Sequence, residues 1–226
     1  MCLAACKSAA HHTLAVRLKM KKFSIVLGTL ILTVCLCSTA LAGEAQDRLK
    51  VGIENVINIL ADASLKGPAK RDVRQQKLRA VADGFFDWRE LSRRAAAEGW
   101  KKFTPKQQDD FVASFSELLQ KTYVRKLEKY NNEKVEYLGE QIADNQAFLK
   151  TQVALKDKTI PINYVMIKHS QWMVYDVVVE GVSLVKNYRT QFAKILSRET
   201  PDALILRIKD KIKSLDAGKN VDDVAS

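Results

Sequence analysis

Cysteine, histidine, glycine and proline are all scarce in this chain. The four cysteines (Cys2, Cys6, Cys35, Cys37) and two of the three histidines fall within the first 42 residues. Beyond that point no thiol exists for a disulfide, a Cys-based metal site or thiol catalysis. The remaining histidine, His169, lies at a predicted hairpin turn, a place for a solvated side chain rather than a general base. H-E-x-x-H, P-loop and C-x-x-C patterns are missing. Gly181-Val182-Ser183-Leu184-Val185 begins like a nucleophile elbow but ends in Val. Metal, nucleotide and covalent chemistry therefore lack residues, and no cofactor is expected. The apolar run from Phe23 to Leu36 is too short to span a bilayer comfortably, and 47% apolar with 28% charged residues excludes a polytopic membrane, disordered or collagen-like chain.

That short run has another reading. Met20-Lys21-Lys22, the apolar segment and the small-residue end Thr39-Ala40-Leu41-Ala42 form the three-part pattern of a secretory signal peptide, with cleavage expected after Ala42. Val34 and Leu36 precede the cysteines, which argues against a lipoprotein signal. Residues 1–42 carry Lys7, Arg17, Lys19, Lys21 and Lys22 and no acid, so the formal charge of +11 falls to +6 on the remainder. The case for a nucleic-acid partner weakens with it. A periplasmic protein without disulfides is expected, with residues 43–214 as one domain and 215–226 as a flexible tail.

The first half reads as helices. Leu49, Ile53, Val56, Ile57 and Leu60 share one face of a helix that Gly67-Pro68 ends. A second, thinner stripe through Val73, Leu78 and Val81 stops at Asp83-Gly84, and short helices follow around Trp88 to Ala97. Thr104-Pro105-Lys106-Gln107 supplies an N-cap, a first-turn proline and a capping-box Gln for a helix to about Tyr130, whose stripe is Phe111, Phe115, Leu118, Leu119 and Tyr123. From Val135 the period changes to two, predicting an antiparallel meander of four strands that Gly181 ends, with Pro161 at a strand start, bulge or edge. Two helices follow, one carrying Val185, Tyr188, Phe192, Ile195 and Leu196, the other starting at Thr200-Pro201. The class is α+β.

The strands 160–167 and 174–179 are apolar on both faces, so both faces are covered or one encloses a cavity. Asp176 is the one carboxylate in the second of these strands. Buried without a partner it would be a general base; partnered, it would cap backbone or pair with a cation. The basic runs Lys121/Arg125/Lys126/Lys129 and Arg207/Lys209/Lys211/Lys213 read as solvated helix faces, with an acidic protein partner or an anionic head group as the alternative.

The segment from Gln171 to Val185, followed by Asn187-Tyr188-Arg189-Thr190-Gln191-Phe192, resembles the MlaC family of periplasmic phospholipid-binding proteins, also called the toluene-tolerance family. The likeness extends in order through Phe103-Thr104-Pro105, the Phe111 to Tyr130 helix with Leu118 and Tyr123, the turn and strand from Asp157 to Ile162, and the terminal helices. It implies a cone-like antiparallel sheet wrapped by N- and C-terminal helices, with acyl chains in an apolar cavity and the head group outside. It also implies a monomeric carrier, not an enzyme, moving phospholipid between an outer-membrane lipoprotein complex and an inner-membrane ABC transporter bearing an MCE-domain protein. Hopanoid-like cargo, and an enzyme using Asp176 as base on an apolar substrate, are the alternatives.

On the resemblance, the inward-facing positions of the two periods become lining candidates: Phe115, Leu149, Val153, Ile162, Tyr164, Met166, Tyr175, Val177, Val179, Val182 and Val185. Arg189 and Gln191 are candidates for the head group. The bound phospholipid would be cargo rather than cofactor. Shielding is required on simple grounds, because each exposed CH₂ costs about 0.8 kcal/mol.

Overall fold

The computed structural model describes residues 43–127, 130 and 133–218. Residues 1–42, expected to be a signal peptide, and those from 219 onward lie outside the described residues. Six α-helices and five strands follow one another as α1 (Glu44–Ala61), α2 (Arg71–Phe85), α3 (Trp88–Ala96), α4 (Pro105–Leu127), β1 (Lys134–Ala143), β2 (Gln146–Ala154), β3 (Thr159–Lys168), β4 (Trp172–Val179), β5 (Val182–Ser183), α5 (Leu184–Leu196) and α6 (Pro201–Asp216). The protein is α+β.

Helix starts follow the local chemistry. Thr104 accepts from the Gln107 amide at 3.3 Å while its own amide donates to the Gln107 side chain at 2.9 Å, completing the capping box of α4. Asp87, Ser183 and Thr200 cap α3, α5 and α6 by accepting from the third residue onward. The first amides of α1 have a less local partner, since Gly43 and Gln46 both donate to the Glu140 carboxylate of β1. A carboxylate there also suits the positive end of the helix dipole. Leu215 is buried and α6 runs to Asp216, so the ordered helix passes the boundary expected at 214.

The sheet is an antiparallel meander in the order β1-β2-β3-β4-β5. It has five strands where four were expected, because Gly181 does not end it. Glu180 and Gly181 take φ of 49° and 83°, the left-handed pair of a two-residue hairpin, and the chain turns back so that Val179 faces Val182. Pro161 is the third residue of β3, and the ladder to β2 is interrupted just beyond it. There the Thr151 amide donates to the Asn163 side chain at 3.2 Å and the Thr151 hydroxyl to the Ile162 carbonyl.

Both faces of the sheet are covered, each by a different core. On one side α3, α4, α5 and α6 close over Val165, Ile167 and Tyr175, around an aromatic cluster of Phe103, Phe111, Phe115, Tyr188 and Phe192. On the other, α1 and the junction of α2 with α3 pack Ala45, Leu49 and Phe85 onto Ala147, Leu149, Met166, Trp172 and Val174. Phe86 forms a parallel bridge to Val174, and the Asp87 amide donates to the Val174 carbonyl at 2.8 Å, fixing this junction on β4.

Candidate functional site

The face beneath α1 is assembled by register. Leu149 faces Tyr164, which faces Val177; Ala147, Met166 and Val174 make the next row; Tyr137 faces Thr151, and Ile162 faces Val179. Paired residues point to the same side of a sheet, so these rows form one continuous, almost wholly apolar surface. α1 crosses it. Glu44 pairs with Lys168 at the end of β3, Lys50 lies 5.5 Å from the Tyr137 ring, and Ile53, like Tyr137, Tyr164 and Val177 of the sheet, packs against the buried cluster beneath α1.

Burial divides this layer in two. Ala45, Leu49 and Gly52 of α1 are buried, as are Leu149, Met166 and Val174. Gly52 permits the tight end of the packing, since a Cβ there would sit 2.2 Å from the Phe85 ring. Past Gly52 the pattern changes. Ile53, Val56, Ile57 and Leu60 are only half-buried, and so are Val153, Ile162, Tyr164 and Val177; Val179 and Val182 are 36% and 62% exposed at the edge. Apolar side chains of α1 beyond Gly52 and of the sheet face on which α1 packs are thus both left only partly covered. This strip is the candidate site.

Its electrostatics agree with an apolar setting. Burial pushes the Tyr164 phenol up to about 12 and the Tyr137 phenol up to about 12, the latter helped by the nearby Glu54 carboxylate. Both hydroxyls therefore stay neutral at any ordinary pH. Among the described residues no group of three or more His, Cys, Asp or Glu is placed to hold a metal ion.

Of the lining residues expected from sequence, Leu149, Val153, Ile162, Tyr164, Met166, Val177 and Val179 share this face, and Val182 extends it at the edge. Leu149 and Met166 are sealed in the core beneath α1. Phe115, Tyr175 and Val185 are elsewhere, in the helical core across the sheet. The register shift between Val165 and Met166 explains Tyr175: the extra residue sends Tyr175 and Asp176 to the side opposite Val174 and Val177. Arg189 and Gln191 are on α5, on that same far side, where Arg189 donates to the Arg94 carbonyl at 2.9 Å and Gln191 bonds Asn187. Sequence reasoning missed Tyr137, hidden by the irregularity between Tyr137 and Gly139, and treated Ile53, Val56, Ile57 and Leu60 as ordinary core.

Asp176 takes the partnered of its two readings. Its carboxylate accepts from the Ser183 hydroxyl at 2.6 Å and from the Val185 amide at 3.0 Å, while Ser183 caps α5 through the Lys186 amide. It is a clamp tying β4 to the start of α5 and has no access to the strip. Asp176→Asn is expected to lower the unfolding free energy by about 1–3 kcal/mol, through one lost or inverted hydrogen bond, and to leave lipid content unchanged. Denaturant titration alongside lipid extraction checks both; loss of a catalytic turnover instead would restore the general-base reading.

Comparison with known proteins places this architecture. A family model described as "MlaC protein" matches residues 51–210. The chain is 26% identical over 117 residues to the intermembrane phospholipid transport system binding protein MlaC of Haemophilus influenzae, a match covering 49% of this chain and 55% of that protein, about half the length of the relative. Among solved structures it resembles the phospholipid-binding protein from Ralstonia solanacearum in complex with a phospholipid, with a TM-score of 0.68 and 25% identity over 76% of this chain and 99% of the other. The matched span includes α1 from Val51 onward, the whole sheet and most of α6, so the chain belongs to the MlaC protein family.

Proposed function

We propose that this protein is a periplasmic phospholipid carrier that holds acyl chains along the strip between α1 and the sheet and leaves the head group at its open edge. The observation that carries the reading is the half-buried apolar face of β2 to β5 on the side where α1 packs, together with the half-buried apolar residues of α1 beyond Gly52. In a fold with two well-sealed cores, an unsealed apolar layer is a liability unless a third apolar body completes it. The similar Ralstonia structure contains a phospholipid, which supplies such a body. Each CH₂ moved from water contributes about 0.8 kcal/mol, so two acyl chains would repay a lining of this kind many times over. Among the described residues no helix is long and apolar enough to cross a membrane, in keeping with a diffusing carrier.

On this reading the chain is exported, loses residues 1–42 and works as a monomer. Its proposed partners are an outer-membrane lipoprotein complex and an inner-membrane ABC transporter with an MCE-domain protein. It performs no bond-making chemistry. Val179 and Val182, exposed at the sheet edge, mark the side from which the lipid enters. The test is native mass spectrometry of the exported protein purified without detergent, followed by lipid extraction. About one diacyl phospholipid per chain is expected; a protein that stays empty even after incubation with phospholipid vesicles would refute the carrier, and a polycyclic lipid would replace the cargo.

A further inference from the structure

Two tyrosine hydroxyls away from the strip have protein partners. Tyr175 donates to the Gln146 side chain at 2.8 Å, and Tyr130 to the Glu133 carbonyl at 2.7 Å. Tyr164 differs: burial pushes its phenol up to about 12, yet the hydroxyl has no hydrogen-bond partner among the described residues. A desolvated phenol normally finds an acceptor, because leaving a buried donor unpaired costs more than an average hydrogen bond gains. Among the described residues the side-chain polar atoms sealed without a partner are Arg48 Nε, Arg79 Nε, Ser92 Oγ and Trp172 Nε1. The Tyr164 oxygen is not one of them. Half-buried Tyr164 therefore offers an unused donor that a small group can still reach.

Its place on the sheet selects the acceptor. Tyr164 faces Leu149 of β2 and Val177 of β4, and it stands two residues along β3 from Ile162, which faces the exposed Val179. Two residues of strand span about 6.6 Å, so Tyr164 lies one step inside the edge at which the head group is left. Acyl methylenes accept no hydrogen bond, and the phosphate belongs further out. Between them come the ester carbonyls that join chain to glycerol, neutral acceptors that enter an apolar layer at far less cost than a charge. A neutral phenol is the matching donor. Tyr137, the other phenol of this face, has the Glu54 carboxylate and the Lys50 ammonium beside it, a polar setting that suits water instead.

We propose that the Tyr164 hydroxyl donates to an ester carbonyl of the bound lipid and makes the strip selective for ester-linked over ether-linked chains. The contact rests on the carrier reading and deepens it, by giving one protein atom to the glycerol-ester level of the cargo.

The test sets two phosphatidylglycerols of equal chain length against each other, the dioleoyl diester and the dioleyl diether, in equal amounts in mixed vesicles incubated with the exported protein. Bound lipid is recovered and counted by mass spectrometry. A neutral hydrogen bond of ordinary strength is worth about three- to tenfold in an equilibrium constant, so about three to ten diesters are expected for every diether. Tyr164→Phe, which keeps the ring, should bring that ratio to about one. Tyr175→Phe, whose ring lies in the helical core across the sheet, should keep the ratio and lower Tm instead. The ratio in the parent protein needs no variant to fold. A parent that takes both lipids alike, or a preference that survives in Tyr164→Phe or disappears in Tyr175→Phe, overturns the ester contact and leaves the carrier standing, since lipid is still held. A protein that takes up neither lipid refutes the carrier and the contact together.

Discussion

Replacing Ile162 with glutamate is expected to empty the protein while leaving it folded. Ile162 faces Val179 across the strand pair and is half-buried at the centre of the strip floor. The hydrogen bond from Thr151 reaches its backbone carbonyl, so a new side chain leaves that bond in place. In the unliganded protein a carboxylate at this position can keep contact with water and costs about 1 kcal/mol or less, as a partly exposed substitution does. Under two acyl chains it would be stripped of hydration without a partner, which costs several kcal/mol. Occupancy should therefore fall at least about tenfold, since each 1.4 kcal/mol of lost affinity is a factor of ten. The measurement is phospholipid per chain by native mass spectrometry, paired with a thermal midpoint. Undiminished lipid content in a folded Ile162→Glu protein would show that the strip is not where the cargo lies. Val179→Glu, at the more exposed edge, should give the same direction with a smaller drop and almost no change in midpoint.

Phe115→Ala makes the opposite prediction, a large loss of stability with lipid retained. Phe115 is fully buried, with ring centroids 5.6 Å from Phe111, 4.9 Å from Tyr188 and 5.0 Å from Phe192, the last two edge-on. These helices close over it from three directions and cannot collapse far into the space its ring would vacate. Removal is expected to cost about 3–5 kcal/mol, the transfer free energy of the ring plus a cavity term. Chemical denaturation reads the cost directly. Lipid per chain in the surviving folded fraction should match the parent, because the ring is across the sheet from the strip. A modest destabilisation together with emptied protein would mean that Phe115 touches cargo and that the helical core, not the α1 side, forms the cavity.

These two variants separate residues that sequence alone placed in one list. Period-two alternation fixes which strand residues share a side only while the register holds, and it correctly grouped Ile162, Tyr164, Val177 and Val179. It failed at the register shift in β4, where one extra residue moved Tyr175 to the other core, and near Gly139 in β1, where Tyr137 escaped notice. A bulge leaves no clear mark in the hydropathy pattern, because both neighbours remain apolar. The helix starts were legible for the converse reason. Thr104 and Thr200 act on amides three residues away, within the reach of a local motif, whereas the Ser183 cap of α5 emerged only in the structure.

The sequence by itself determined the α+β class, the order of the helices and the four longer strands, the caps of α4 and α6 and the absence of thiols beyond residue 42, all of which depend on neighbours within a turn or a strand. Only the tertiary structure decided which side of the sheet is sealed and which is left open. Asp176 became a clamp because Ser183 and Val185 fold back onto it, and the strip stayed unsealed because α1 is pinned at Glu140, Lys168 and Phe85 along its first half alone. Burial depends on what packs across the sheet, and that partner is set by the path of the whole chain rather than by any segment of it.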